Sequence, residues 1–214
     1  GGAVTAEPAK TSIYKWGLDL RLREEYSDHL PYGRTAKNNY LRLRSRIWGE
    51  IALAENIAIR GRLFNEFRHY FSPDPDELGW TDAQRSKFPE EFGVDNLYLD
   101  LKNMLDGKLD ARLGRQELMS YGNGRLIMDG TPLDGSRTFY FDALKLTWKG
   151  LKDMTIDFLT INNSTKNGLT VNSRDRALIE TAERGAGVYF RDNSYANYPY
   201  ELYYFFKQED PAAD

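Results

Sequence analysis

Cysteine is absent from the 214 residues, and with it go a disulfide framework, a thiolate nucleophile and any Cys-based metal centre. Histidine is almost as scarce. His29 and His69 each stand beside an expected loop, with no partners at ligand spacing for zinc or base chemistry. Ser27-Asp28-His29 puts triad residue types side by side, but adjacent positions cannot supply triad geometry. Long apolar runs are missing too. The longest, Leu202–Phe206, falls far short of the ~20 residues a membrane helix requires. Nor is there an excess of positive charge: 29 Lys and Arg against 32 Asp and Glu give a net −3, an average that argues against a polyanion partner only if acids and bases are mixed evenly. A hydrophobic fraction of 41% and a mean hydropathy of −0.64 suit a soluble protein. They do not exclude a membrane β-barrel, whose strands need apolar residues only at alternate positions.

That alternation is what the chain does contain. Trp16, Leu18, Leu20 and Leu22 alternate with Lys15, Gly17, Asp19, Arg21 and Arg23; Leu41, Leu43, Ile47 and Ile51 with Arg42, Arg44, Arg46 and Glu50. Ile57, Ile59, Leu63 and Phe67 oppose Arg60, Arg62, Glu66 and Arg68. Leu97, Leu99 and Leu101 oppose Asn96, Tyr98, Asp100 and Lys102, and Leu109, Ala111 and Leu113 oppose Asp110 and Arg112. Later runs are less regular. Leu144, Leu146 and Trp148 oppose Lys145 and Thr147, with Phe139 and Phe141 out of phase unless a bulge lies near Asp142. Ile156 and Phe158 oppose Thr155 and Asp157, Gly187–Asp192 reads as a short strand, and Leu202, Tyr204 and Phe206 oppose Glu201, Tyr203, Phe205 and Lys207. Side chains alternate faces along a strand, so each run has one aliphatic and one charged face.

Two further features separate a membrane barrel from a soluble sandwich. Connections alternate between about four to six residues, near Ala54, Asp106 and Gly150, and about twenty-five, near Ser72–Phe92 and Asn163–Arg184. Aromatics gather near strand ends at Tyr14, Trp16, Tyr26, Tyr40, Phe67, Tyr70, Phe71 and Trp148, where interfacial girdles belong. The expected fold is therefore all-β, an antiparallel up-and-down transmembrane β-barrel. It has residues 1–11 as an N-terminal segment, 12–208 as barrel wall and 209–214 as loop. The roughly nine strands are odd in number where bacterial single-chain barrels are even, so the expectation is part of a barrel of about 16–18 strands.

The charged face is rich in arginine, which cannot face lipid, where it would cost ~2–4 kcal/mol at the midplane. Arg21, Arg23, Arg42, Arg44, Arg46, Arg60, Arg62, Arg68 and Arg112 are expected to line the lumen, with Asp19, Glu25, Glu50, Glu66, Asp100 and Asp110 among them. Rings of Arg attract anions, and the planar fork suits carboxylate or phosphate. Pairing with those acids to stiffen the wall is the other role open to each arginine.

The block Asn96–Trp148 resembles the alginate-export family of outer-membrane porins. The resemblance rests on Asn96-Leu97-Tyr98-Leu99-Asp100, Ala111-Arg112-Leu113-Gly114-Arg115-Gln116 and Phe141-Asp142-Ala143-Leu144-Lys145-Leu146. Tyr121-Gly122-Asn123-Gly124-Arg125-Leu126, Asp129-Gly130-Thr131-Pro132 and Arg184-Gly185-Ala186-Gly187-Val188-Tyr189-Phe190 are similar to it as well. It implies a monomeric barrel in the bacterial outer membrane, larger than this chain, that passes an anionic polysaccharide through an arginine-lined constriction. Arg115 is the constriction residue carried over from the Gly-Arg-Gln motif. Strict alternation sends Arg115 outward with Leu113. Either a bulge at Gly114 shifts the phase, with Glu117–Arg137 folding over or into the pore, or the strand has already left the membrane at its rim.

No catalytic residues, metal ligands or cofactor are expected. Asp74, Asp76 and Glu77 read as a solvated acidic loop in preference to a calcium site, and Gly122-Asn123-Gly124 lacks the strand–helix setting of a phosphate loop. The tyrosines of Tyr195–Tyr204 form a girdle or stack on sugars. The expected function is a passive outer-membrane porin for alginate-like polysaccharide or other anions. The alternative is a soluble periplasmic or secreted β-domain that binds acidic polysaccharide.

Overall fold

Each alternating run forms a strand, and the strands join in one sheet. The computed structural model describes residues 13–28, 38–72, 91–118, 121, 140–166, 168–171 and 181–211. Its strands are β1 (Tyr14–Ser27), β2 (Asn38–Ala54), β3 (Ile57–Ser72), β4 (Glu91–Asn103), β5 (Leu109–Gln116), β6 (Phe141–Trp148), β7 (Met154–Asn163), β8 (Thr181–Asp192) and β9 (Tyr200–Pro211). They lie side by side in chain order, every neighbouring pair antiparallel. The fold is the all-β up-and-down sheet that the alternation predicts. Met104–Gly107, between β4 and β5, is a left-handed turn and not a packing helix, with Leu105 and Asp106 at φ 50° and 57°.

Tight links at 55–56, 104–108, 149–153 and 193–199 occupy one rim of the sheet, and the strand ends that the longer connections join lie at the other. The long and short connections thus segregate as expected. β1, β2 and β3 run for 14, 17 and 16 residues, beyond the ~9–11 that cross a bilayer, so they project past β5 and β6 at the long-loop rim.

Register explains how one largely apolar face runs across the sheet. Directly paired residues share a face, and one row crosses all nine strands: Tyr14, Ile51, Ile59, Leu99, Leu113, Leu144, Thr160, Ala186 and Phe206. This face is open. Leu18 is 67% exposed, Leu20 65% and Ile47 50%, whereas on the opposite face Arg46 is 6% exposed and Asp95 not at all. A protein folding in water places these two faces the other way round.

Several local expectations change. Register puts Tyr40 opposite Glu25 and Tyr70, and its hydroxyl donates to the Glu25 carboxylate. Tyr40 and Tyr70 stack with centroids 4.9 Å apart on the charged face, so they do not join an outward girdle. Phe141 needs no bulge at Asp142: β5 and β6 pair without a shift, and Phe141 turns to the charged face against Tyr121, Tyr189, Leu118 and Leu159. The bulge lies instead in β4, where Arg62 and Leu63 pair with Asn96 and Val94 and leave Asp95 as the extra residue. β8 starts at Thr181, well before Gly187, and β9 extends through Pro211. Residues 1–11, His29, Asp74, Asp76, Glu77, Gly122–Gly124, Asp129–Pro132 and Phe139 lie outside the described residues.

Candidate anion-binding face and cavity

The arginines fall into registered rows. Arg23 and Arg42 are direct partners, as are Arg42 and Arg68, so three guanidinium groups stand abreast on β1, β2 and β3. Like charges in direct cross-strand pairs oppose folding. Here Glu25 offsets part of that cost: Arg23 and Arg42 both donate to its Oε1, Arg42 Nη1 at 2.7 Å. The next charged row on these strands is Arg21, Arg44 and a buried Glu66. Arg44 Nη2 lies 3.5 Å from Asp19, which is itself half exposed and also 3.9 Å from Arg46.

Nearer the tight-turn rim the pairs are closer and shared. The bulged Asp95 receives Arg62 with Nε at 2.7 Å and Nη2 at 2.8 Å, and Arg46 Nε lies 3.5 Å away. Arg112 holds Asp100 through two bonds of 2.6 and 2.8 Å and lies over Tyr98, 4.1 Å from the ring centroid. Arg60 covers Trp48 at 4.3 Å and has only a loose 3.7 Å contact with Glu50, which Lys15 approaches from the other side at 3.8 Å. Trp48 lies flat because its partner is Gly17, where any Cβ would overlap the indole. Asp110 sits at the rim itself, paired with Lys149 at 2.7 Å and accepting from Asn103 N–H.

Between these pairs is a cavity of about 420 Å³. Its cations are Arg60, Arg62, Arg112 and Lys145; Asn96, Tyr98, Gln116 and Leu118 complete the lining with one acid, Glu117. Gln116 is fully buried. Its Nε2 donates to the carbonyls of Ala143 at 3.0 Å and Gly114 at 3.2 Å, while its Oε1 accepts no hydrogen bond among the described residues.

Gly114-Arg115-Gln116 is what brings the chain into this cavity. Gly114 has φ +124°, a region closed to other residues in practice, and a Cβ there would strike the Leu97 carbonyl oxygen. The β5–β6 pairing holds its register through this point, so the backbone twists without a bulge. Arg115 is consequently neither a free pore residue nor an exposed strand end. It is buried, donating to Asp142 at 3.0 and 3.2 Å and to the Val94 carbonyl at 2.9 Å, with Tyr140 covering it at 3.8 Å. The chain then turns to the charged face. Glu117 bonds Arg62, and Tyr121 reaches β7, where its hydroxyl donates to Asp157 at 2.9 Å. Asp157, with no exposure, also takes Thr147 at 2.5 Å, Arg191 at 3.2 Å and Lys145 at 3.5 Å. Tyr121 rests on Tyr189 with centroids 4.5 Å apart.

The sequence profile described as alginate export matches residues 13–158. The chain belongs to the alginate export family. The family is one of transport proteins built as outer-membrane β-barrels with a part in polysaccharide export, and the observed sheet has that architecture. The match takes in β1 to β6 and ends within β7, so it includes every arginine row, the cavity and Asp157. The block Arg184–Phe190 lies beyond it. A comparison with curated proteins found no match.

The structure gathers Arg60, Arg62 and Arg112 at the cavity, sets Arg21, Arg23, Arg42 and Arg44 toward the long-loop rim with Arg46 between, and buries Arg115 against Asp142, the Val94 carbonyl and Tyr140. Alternation alone missed Asp95, because it is the residue the bulge inserts; the consecutive polar pair Asp95-Asn96 was its signal. Glu117 and Tyr121 carry no periodic signal, since they follow the strand end. Asp157 and Lys145 sat on the polar phase of their runs and lacked only the knowledge that they meet. His69 is exposed on the aliphatic face, edge-on to Phe71 at 5.2 Å.

Proposed function

We propose that this chain forms wall of a passive, arginine-lined outer-membrane pore, a monomer in a Gram-negative bacterium, through which anionic polysaccharide or smaller anions pass without chemistry. The carrying observation is the inversion of burial, with the aliphatic face open and Arg46, Glu66, Asp95, Asp100 and Asp157 buried on the charged face, which suits lipid on one side and a hydrated lumen on the other. The abreast arginines Arg23, Arg42 and Arg68 and the four-cation cavity supply the sign: they focus potential on anions, and guanidinium forks fit carboxylates of a polyuronate such as alginate. In planar bilayers the full-length protein is expected to conduct anions in preference to cations and to be blocked by polyuronate. Cation selectivity would overturn the reading. A monomer that stays dispersed and folds cooperatively without detergent would replace it with the soluble binding domain.

A further inference from the structure

The segment leaving β5 brings a carboxylate of its own into the cavity. Asp95 holds one edge of the Arg62 guanidinium, through Nε and Nη2. Glu117 holds the other: Nη2 donates to its Oε1 at 2.6 Å and Nη1 to its Oε2 at 3.3 Å. That is the two-bond arrangement in which a guanidinium receives a free carboxylate. Glu117 is also the one acid among the described residues that line the cavity, facing four cations. The positive φ of Gly114 and the clamp of Arg115 on Asp142 and Val94 aim the chain at this spot, so the placement is built in. Beside it, the buried Oε1 of Gln116 accepts no hydrogen bond among the described residues.

We propose that Glu117 is a resident stand-in for the solute. It fills the carboxylate position on Arg62 while the pore is empty and is displaced by the carboxylate of an entering acid sugar, freeing Glu117 from β3. This rests on the reading of the chain as an anion pore. The exchange is neutral in charge, one carboxylate replacing another on the same guanidinium, and no covalent bond changes. The released Glu117 has Arg60 as the least committed cation in the cavity, its contact to Glu50 being 3.7 Å. The Tyr121–Asp157 bond keeps Tyr121 fastened to β7 during the exchange.

The test is block of full-length protein in planar bilayers, in sodium chloride, by a trimer of mannuronic acid, with maltotriose as the uncharged probe. Glu117→Gln keeps the side-chain shape and removes the competing charge. Its half-blocking concentration for the acidic trimer is expected to fall about 10-fold, as loss of one such ionic contact allows, with the maltotriose response unchanged. Tyr121→Phe loosens the other fastening without altering cavity charge, and a fall of roughly threefold is expected. Heat-modifiable gel mobility verifies that each variant is folded. Equal potency across wild type and both variants overturns the stand-in role, and so does weaker block by Glu117→Gln, which would make Glu117 part of the solute's own binding. A wild-type pore with no anion preference and no block by the trimer overturns the underlying reading, a result separate from either.

Discussion

Ile47→Arg decides between lipid and water as the solvent of the aliphatic face. Ile47 is near the middle of β2, 50% exposed, with Leu18 and Leu63 as its cross-strand partners. Those neighbours are themselves exposed, at 67% and 38%, so the added guanidinium meets no buried core and no acid in its own row. If the face met water, the substitution would fall within about ±0.5 kcal/mol, as for other surface positions. In a bilayer an outward arginine near the midplane of a barrel costs about 2–4 kcal/mol. At about 1.4 kcal/mol per decade, the folded-to-unfolded ratio drops about 30- to 800-fold. The assay is guanidinium titration of the barrel in phosphatidylcholine vesicles, followed by the shift in gel mobility of the folded form. Leu41→Arg on the same strand, near the long-loop rim, serves as the depth control and is expected to cost about 0–1 kcal/mol. Equal, small losses at both positions would refute the assignment of this face to lipid.

Other expectations follow from particular contacts. Gly114→Ala must place a Cβ against the Leu97 carbonyl at φ +124°, a cost of about 1–3 kcal/mol; titration in vesicles should show it, and no loss would mean the twist is not required. Asp157→Asn removes the carboxylate that Lys145 faces, while Arg191 keeps Glu201 at 3.3 Å; Lys145 and Arg191 are each about one-fifth exposed. Solvent therefore lowers the penalty to about 2–3 kcal/mol, below the ~3–5 of a fully buried pair, measured the same way. Charge reversal at Arg44 and Arg62 is expected to move the reversal potential toward cation permeability, and no movement would make both arginines structural. Raising salt from 0.1 to 1 M shortens the screening length from about 10 to 3 Å and should erase most anion preference without altering stability at Arg112–Asp100.

What the sequence made legible was whatever obeys period 2. The outward rows, the arginine phase of β1 to β3, and the segregation of long and short connections follow from alternation and composition. Two kinds of feature escaped. A bulge changes the phase locally, so Asp95, the acid that receives Arg62 and lies beside Arg46, could not be assigned a face by counting. A residue beyond the strand end has no periodicity at all, which hid Glu117 and Tyr121. Arg115 illustrates the difference between position and role. Alternation sends it outward unless a bulge at Gly114 shifts the phase; no bulge forms there, the acid that claims it, Asp142, is its registered partner on the next strand, and its guanidinium lies over the Tyr140 ring. Girdle positions failed where burial and register disagree with mere nearness to a strand end, as at Tyr40 and Tyr70.

The succession of nine antiparallel strands has a directional consequence. β1 sets out from the rim of tight turns, where Tyr14 meets Ile51, and β9 sets out from the same rim after the link at 193–199. The two edges of the sheet therefore point the same way. Brought together directly, they would have to pair as parallel strands, with slanted bonds in a wall otherwise laid at right angles. Two copies of this sheet standing in one bilayer orientation meet the same obstacle at each seam, β9 of one beside β1 of the next. A wall antiparallel all the way round instead interposes an odd number of strands between β9 and β1, the first and last of them running against both edges.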